Sequence, residues 1–504
     1  MNDSYDYIVV GAGTAGCVLA NRLSRDPAAQ VLLLEAGDAE PPDEAAIPPV
    51  WPTLQGTSAD WGGLIVPMAG AGVSAPWPRG RGLGGSTNIN GMMFARGHRS
   101  SYDQWAKDGA AGWDFHSLLP YFKRTETAVG RSGDHRGTEG PMTVAPASEP
   151  NPVTLSLLEA AVDAGYSRAA DISSGLDEGV GLADLNVVNG RRQTAADGYL
   201  RPVMGRANLD VVTVALCSRV RIAGGRCTGV EYIAGGKCHT VDCSGEVILA
   251  AGTIGSAQLL LLSGVGPAGH LTGAGIDVAA DLPGVGANLH DHPMTGITYA
   301  SSRPLPPSVN NHGEALGLMH SGEATAGGPD LQVLFGPFPY FPPGLPGPQP
   351  GAGYTIALSL MTPHSRGCVR LASSDPAAPP VVNPGYLSDR RDLDTLVVGL
   401  GLVREIGLAP SLKAWRAAES VPGSDMDLRA YLRAHLMTYF HYAGTCRIGT
   451  DPMAVVDTQL RVRGVEGLRV ADASVMPSVP SANTNATVYA IAERAADLIF
   501  QQFS

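Results

Sequence analysis

Residues 5–16 read YDYIVVGAGTAG, and the chain runs on through Cys17, Val18, Leu19 and Leu23 with helical spacing. The apolar run 5–10 predicts a short buried strand, and Gly11-Ala12-Gly13-Thr14-Ala15-Gly16 predicts a G-x-G-x-x-G turn opening directly into a helix. The first glycine permits the tight turn, the second lets a pyrophosphate approach the backbone, and the third lets helix and strand pack closely. The helix start, at Thr14 and Ala15, then offers unpaired N–H groups and a positive dipole end to phosphates. A second strand over 30–34 ends in Glu35, about twenty residues past the glycines, where a carboxylate can accept both hydroxyls of a ribose. This is a complete βαβ dinucleotide-binding unit. On the fingerprint alone FAD and NAD both stay open.

The remaining composition bounds the class. With 504 residues, the chain is too long for one ordinary core, so two packed domains or one large α/β domain with an insertion are expected. The 64 glycines and 39 prolines predict many tight turns. A net charge of -12 without a basic run argues against nucleic acid, whose binding needs clustered Lys and Arg. The cysteines (Cys17, Cys217, Cys227, Cys238, Cys243, Cys368 and Cys446) are odd in number, scattered and without a CxxC pair. That pattern fits a reducing cytoplasm better than a disulfide framework. Neither a signal peptide nor an apolar run of membrane-spanning length is found, so a cytoplasmic location is expected.

Residues 80–97 read GRGLGGSTNINGMMFARG, a mixture that no packed helix or strand needs and that suits backbone wrapped about a planar ligand. Residues 252–267 read GTIGSAQLLLLSGVGP and follow an apolar strand over 246–251. Together these stretches resemble the two signature motifs of the glucose–methanol–choline (GMC) oxidoreductase family. The resemblance continues in order through 194–202 (TAADGYLRP), 208–213 (NLDVVT), 365–371 (SRGCVRL), 440–449 (FHYAGTCRIG) and 468–498 (LRVADASVMPSVPSANTNATVYAIAERAADL), nearly the whole chain.

The resemblance implies an α/β fold: a Rossmann-like FAD-binding domain with an α+β substrate-binding domain. The FAD domain is expected to be discontinuous, over 1–135, 200–295 and 455–504, with 136–199 and 296–454 forming the substrate domain. Within the latter, 304–350 reads as loop-dominated, its prolines resisting any helix or central strand. It is either a gate over a pocket or a solvent-side loop.

Removing hydride from a carbon that bears a hydroxyl requires an acceptor beside the carbon, a base for the hydroxyl proton and donors for the developing alkoxide. Flavin supplies the first. By resemblance the base is His441, in FHYAGTCRIG, and the partner position forty-two residues on is Asn483, which can hold the substrate oxygen but cannot act as a second base. Resemblance places Gly11, Gly13 and Gly16 at the pyrophosphate, Glu35 and Ala36 at the adenosine ribose, and Val220 near adenine. It places Asn90 and Gly91 at the ring edge near the reactive nitrogen, Asp472 and Ala473 at the pyrophosphate–ribityl region, and Asn483, Thr484 and Asn485 at a helix start aimed at the flavin pyrimidine edge, with Arg81, Gly84, Gly85, Asn88, Ala251 and Gly252 as further cofactor-binding residues. Ordinary N-capping accounts for one of those last three. Some members tether the flavin through a histidine two residues before Gly91; Ile89 stands there, so FAD is expected to be non-covalent.

Trp61, Phe335 and Phe440 are candidate pocket residues for an apolar or aryl primary alcohol. No carboxylate with an aromatic cage, as a quaternary ammonium needs, is evident. O2 and a quinone or artificial acceptor both stay open. The LHDHP run with His290 and His292 reads as structural rather than metal-binding, and Cys446 as a small buried residue. A hydroxynitrile-lyase-like enzyme and a non-catalytic FAD-binding protein are the alternatives.

Overall fold

The computed structural model describes residues 4–68, 74–131, 133–322 and 327–501. The apolar runs that open the sequence become the centre of a sheet. Its order is Leu209–Val212, Val31–Leu34, Ser4–Val10, Lys237–Leu249, Arg226–Ala234, Leu216–Ala223, and Leu468–Val470 also pairs with Lys237–Leu249. The strands Leu209–Val212, Val31–Leu34 and Ser4–Val10 run parallel to one another, to the second half of Lys237–Leu249 and so to Leu468–Val470. Val10 stands level with both Leu34 and Leu249, so these strands end together. Ligands of open parallel sheets bind just beyond such carboxyl ends. The helices Thr14–Leu23 and Asn485–Phe500 pack against each other, and the buried Arg22 guanidinium joins Glu493 at 2.5 Å while Tyr199 donates to the same carboxylate at 2.8 Å.

A second, antiparallel sheet has the order Arg416–Val421, Pro293–Ser301, Gly353–Leu360, Leu331–Gly336, Ala315–Met319, Gly179–Leu182. The helices Pro152–Asp163 and Arg390–Leu408 cover one face, and the other faces the cavity described below. Residues 304–350 are mostly loop as expected, but the prolines do not bar a central strand, because Ala315–Met319 and Leu331–Gly336 are both strands and the latter is interior to the sheet. The prolines spare these two runs and crowd instead into 337–350, which does loop out and brings Phe338 and Tyr340 to the cavity. Among the described residues no helix is long and apolar enough to cross a membrane.

Candidate active site

A cavity of about 440 Å³ lies between the two sheets. At one end are the turn residues Gly11, Gly13, Thr14 and Ala15, with Glu35 and Ala36 from the end of the second strand; at the other are Met294, Leu334, Gly336, Tyr340, Thr355, Ala357 and Tyr439. Between them lie Gly85, Asn90, Gly91, Ala251, Gly252, Asp472, Ala473, Asn483, Thr484 and Asn485.

The wall is built to admit a ligand against bare backbone. Gly85, at φ +53°, approaches Gly13 so closely that a Cβ on it would stand 2.6 Å from the Gly13 Cα. The helices Thr14–Leu23 and Asn485–Phe500 both begin at the cavity, and neither has a side-chain cap on its first N–H groups. The anticipated capping by the Asn483–Asn485 segment is therefore not what those residues do; Asn485 instead accepts from Thr14 Oγ1 at 3.0 Å. Uncapped helix starts meeting at a Gly-lined wall fit the pyrophosphate and flavin of FAD.

Glu35 accepts from the backbone N–H groups of Ala12 (2.8 Å), Gly37 (2.8 Å) and Gly82 (3.0 Å), tying the turn, the second strand and the second Gly-rich segment together. Burial nevertheless pushes its carboxyl pKa up. Asp472 plays the same part on the opposite side, accepting from Gly252 N–H at 2.9 Å, Ser474 N–H at 2.8 Å and Ser256 Oγ at 2.5 Å.

Several expected cofactor residues stand behind the wall rather than on it. Gly16 packs on the Gly11 carbonyl, where a Cβ would be 1.8 Å away. Gly84 N–H donates to the Ala12 carbonyl, Asn88 Nδ2 donates to the Leu83 carbonyl, and Arg81 Nη2 donates to the Ala36 carbonyl at 3.0 Å. Val220 is buried in its strand, and Ala215, Leu216 and Cys217 line the cavity there instead. Phe335 is corrected as a pocket residue. It points to the helix-covered face of its strand and is 0% exposed, while its neighbours Leu334 and Gly336 face the cavity. Side chains alternate along a strand, so a one-residue difference in register decides which core each joins. Trp61 and Phe440 do line the cavity, Trp61 lying under the Arg79 and Arg81 guanidiniums.

His441 is where the two sheets' residues meet. Its Nε2 lies 3.1 Å from Asn483 Nδ2, its Nδ1 lies 2.8 Å from His292 Nδ1, and its backbone N–H donates to Asp291 Oδ1 at 2.7 Å. Asp291 also accepts from Thr438 Oγ1 at 2.6 Å and from the Tyr386 hydroxyl, and burial raises its pKa to about 6. Burial pushes His441 well below the ordinary histidine range, with His292 adding to the effect, and holds His292 down to about 3. Both rings are therefore neutral near pH 7.

Between two neutral Nδ1 atoms at this distance one proton is shared. An amide nitrogen such as Asn483 Nδ2 only donates, so His441 Nε2 is the acceptor of that contact and the proton between the two Nδ1 atoms belongs to His441. His292 Nδ1 is then the acceptor, its own proton sits on Nε2, and His441 Nε2 keeps a lone pair. The LHDHP run is expected to be structural. His292 in fact touches the histidine expected to be the base, while His290 turns its Nδ1 to the Asn288 carbonyl at 2.7 Å. Cys446 is buried.

A family model described as GMC oxidoreductase matches residues 5–294, and a second of the same description matches 363–492. Mitochondrial choline dehydrogenase of Homo sapiens is 38% identical over 538 aligned residues, covering 99% of this chain and 90% of that protein. Pyridoxine 4-oxidase of Microbacterium luteolum is 37% identical over 498, covering 97% and 98%. Among solved structures, pyridoxine 4-oxidase from Mesorbium loti superposes with a TM-score of 0.93 at 34% identity over 98% of both chains. A fungal aryl-alcohol oxidase gives 0.86 at 26% identity over 100% of both.

Proposed function

The chain belongs to the GMC oxidoreductase family, and from that premise we propose that it oxidises a small, uncharged primary alcohol with an apolar or aryl substituent to the aldehyde, with His441 as the base and Asn483 holding the substrate oxygen. FAD is its cofactor. When bound, it supplies the two-electron acceptor for hydride leaving the carbinol carbon.

The observation that carries the reading is the pair of polar atoms His441 Nε2 and Asn483 Nδ2, 3.1 Å apart on the cavity wall. A hydroxyl entering there meets a lone pair able to take its proton and an amide N–H able to hold its oxygen as negative charge develops. His441 Nδ1–H stays donated to His292 throughout, so the ring accepts at Nε2 without turning over. The Asp291 carboxylate holds the His441 backbone in register from behind.

The surroundings support this choice of substrate class. Tyr439 packs on the His441 ring with centroids 4.3 Å apart, and Met93, Met294, Leu334, Tyr340 and Phe440 line the same cavity. Among the described lining residues only Glu35 and Asp472 carry carboxylates, and both are committed to backbone N–H groups, Glu35 at the turn end and Asp472 on the opposite side. A quaternary ammonium would therefore be desolvated there without a counter-charge. Anaerobic mixing with benzyl-type alcohols, straight-chain alcohols and choline tests this: the first two should bleach the flavin, and choline should do so far more slowly. Choline as the fastest reductant would overturn it.

A further inference from the structure

Buried arginines in this protein pair with carboxylates: Arg22 with Glu493, Arg96 with Glu126, Arg136 with Glu126, Asp171 and Asp184, and Arg469 with Glu246. Among the described arginines that are fully buried, Arg192 is the exception. It is 5% exposed and makes no ion pair among the described residues. Its Nε donates to the Ala45 carbonyl at 2.7 Å, and its Nη1 to the Thr87 carbonyl at 3.0 Å and to both the carbonyl and Oδ1 of Asn90 at 2.7 Å. Its Nη2 is buried without a partner. Burial, with no charged neighbour, pulls its pKa down to about 9. A buried cation lacking a counter-charge is strongly unfavourable, and local rules are broken in this way mainly at functional sites.

The guanidinium stands directly behind Asn90, which lines the cavity with Gly91 and Met92. Asn90 Oδ1 accepts from Arg192 and also from the Met92 N–H at 3.0 Å. With the oxygen held twice, the amide is fixed and its Nδ2 donors are turned away from both partners.

We propose that Arg192 is a positioning residue with an electrostatic role: it locks Asn90 as a donor on the cofactor wall and is the fixed positive charge that awaits the negative charge FAD gains on reduction. This rests on FAD as the cofactor and not on the choice of alcohol. A positive charge held near the site in a medium of low polarity favours the reduced, more negative form.

The test is the reduction potential of the FAD-loaded protein, measured anaerobically by equilibration with reference dyes and a chemical reductant, without alcohol. Arg192→Gln should shift the reduction equilibrium at least tenfold toward the oxidised form, about 30 mV for a two-electron couple. Arg192→Lys should keep most of the wild-type potential at acidic pH, where the buried ammonium stays protonated. That ammonium loses its proton at lower pH than the guanidinium does, so its potential should fall more steeply than that of wild type as the pH rises. Wild-type potentials in both variants at all pH values would overturn the proposal. Should the Gln variant not fold, the steeper fall of the Lys variant with rising pH decides alone, and its absence overturns the charge role. Because no alcohol is present, failure here leaves the substrate reading standing, and failure of alcohol turnover would not move the potential.

Discussion

His292 Nδ1 and His441 Nδ1 lie 2.8 Å apart with their rings at 88°, so a neutral imidazole, rather than a carboxylate, orients the base. His292→Phe keeps a ring in the space and removes the acceptor, leaving a buried N–H unpaired. Such a loss costs about 1–3 kcal/mol, or roughly five- to 150-fold in flavin reduction. His292→Asp should instead raise the His441 pKa, because a nearby negative charge favours imidazolium. A pH profile of reduction in the two variants separates this role from simple packing, since only the Asp variant should move the acid limb upward.

In the wild type the acid limb is low. Burial holds His441 below its ordinary pKa, so the neutral, proton-accepting form persists to lower pH than in a free histidine. Reduction by a saturating alcohol should be constant above about pH 6.5 and decline only on the acid side of it. Stopped-flow reduction across pH measures this, and a half-maximal rate above neutrality would contradict it.

Ile89 lines the cavity in the second Gly-rich segment and packs in a small cluster with Leu54, Ala45 and Trp51. An alkyl side chain forms no bond to flavin. Acid precipitation should therefore leave FAD in the supernatant, and colour retained by the washed pellet would refute a dissociable cofactor.

The two helices that begin at the cavity are held together by Arg22 and Glu493. Glu493 is 0% exposed, so Arg22→Ala takes the nearest cation from a buried carboxylate and leaves it the Tyr199 hydroxyl and Arg124 at 3.7 Å, a change at the lower end of the about 3–5 kcal/mol that breaking a buried pair costs. Denaturant unfolding of the FAD-free protein should show that loss, and Arg22→Ala with Glu493→Gln together should recover part of it.

What the sequence disclosed was local or carried by motif. The strand–turn–helix over 4–23 needs no distant partner, because apolar run, glycine spacing and helical period are all contained in it. Phe335 was misassigned because its strand is buried on both faces, so hydrophobicity does not reveal which way each side chain points. The strand Ala315–Met319 was obscured by prolines that flank it without entering it. His292 meets His441 across 149 positions, and Arg192 meets Asn90 across 102; no periodicity marks either encounter. Asn483 was reached only through resemblance, since its polar partner lies forty-two residues away on another element.

The central claim is that His441 takes the alcohol proton while Asn483 holds the oxygen. Anaerobic flavin reduction by a saturating primary alcohol, compared between wild type, His441→Ala and Asn483→Ala, tests it most directly. Both variants should retain FAD; the first should reduce it about a hundred- to ten-thousandfold more slowly, and the second should lose roughly 3 kcal/mol of transition-state stabilisation. Reduction of the His441→Ala flavin at the wild-type rate would contradict the account.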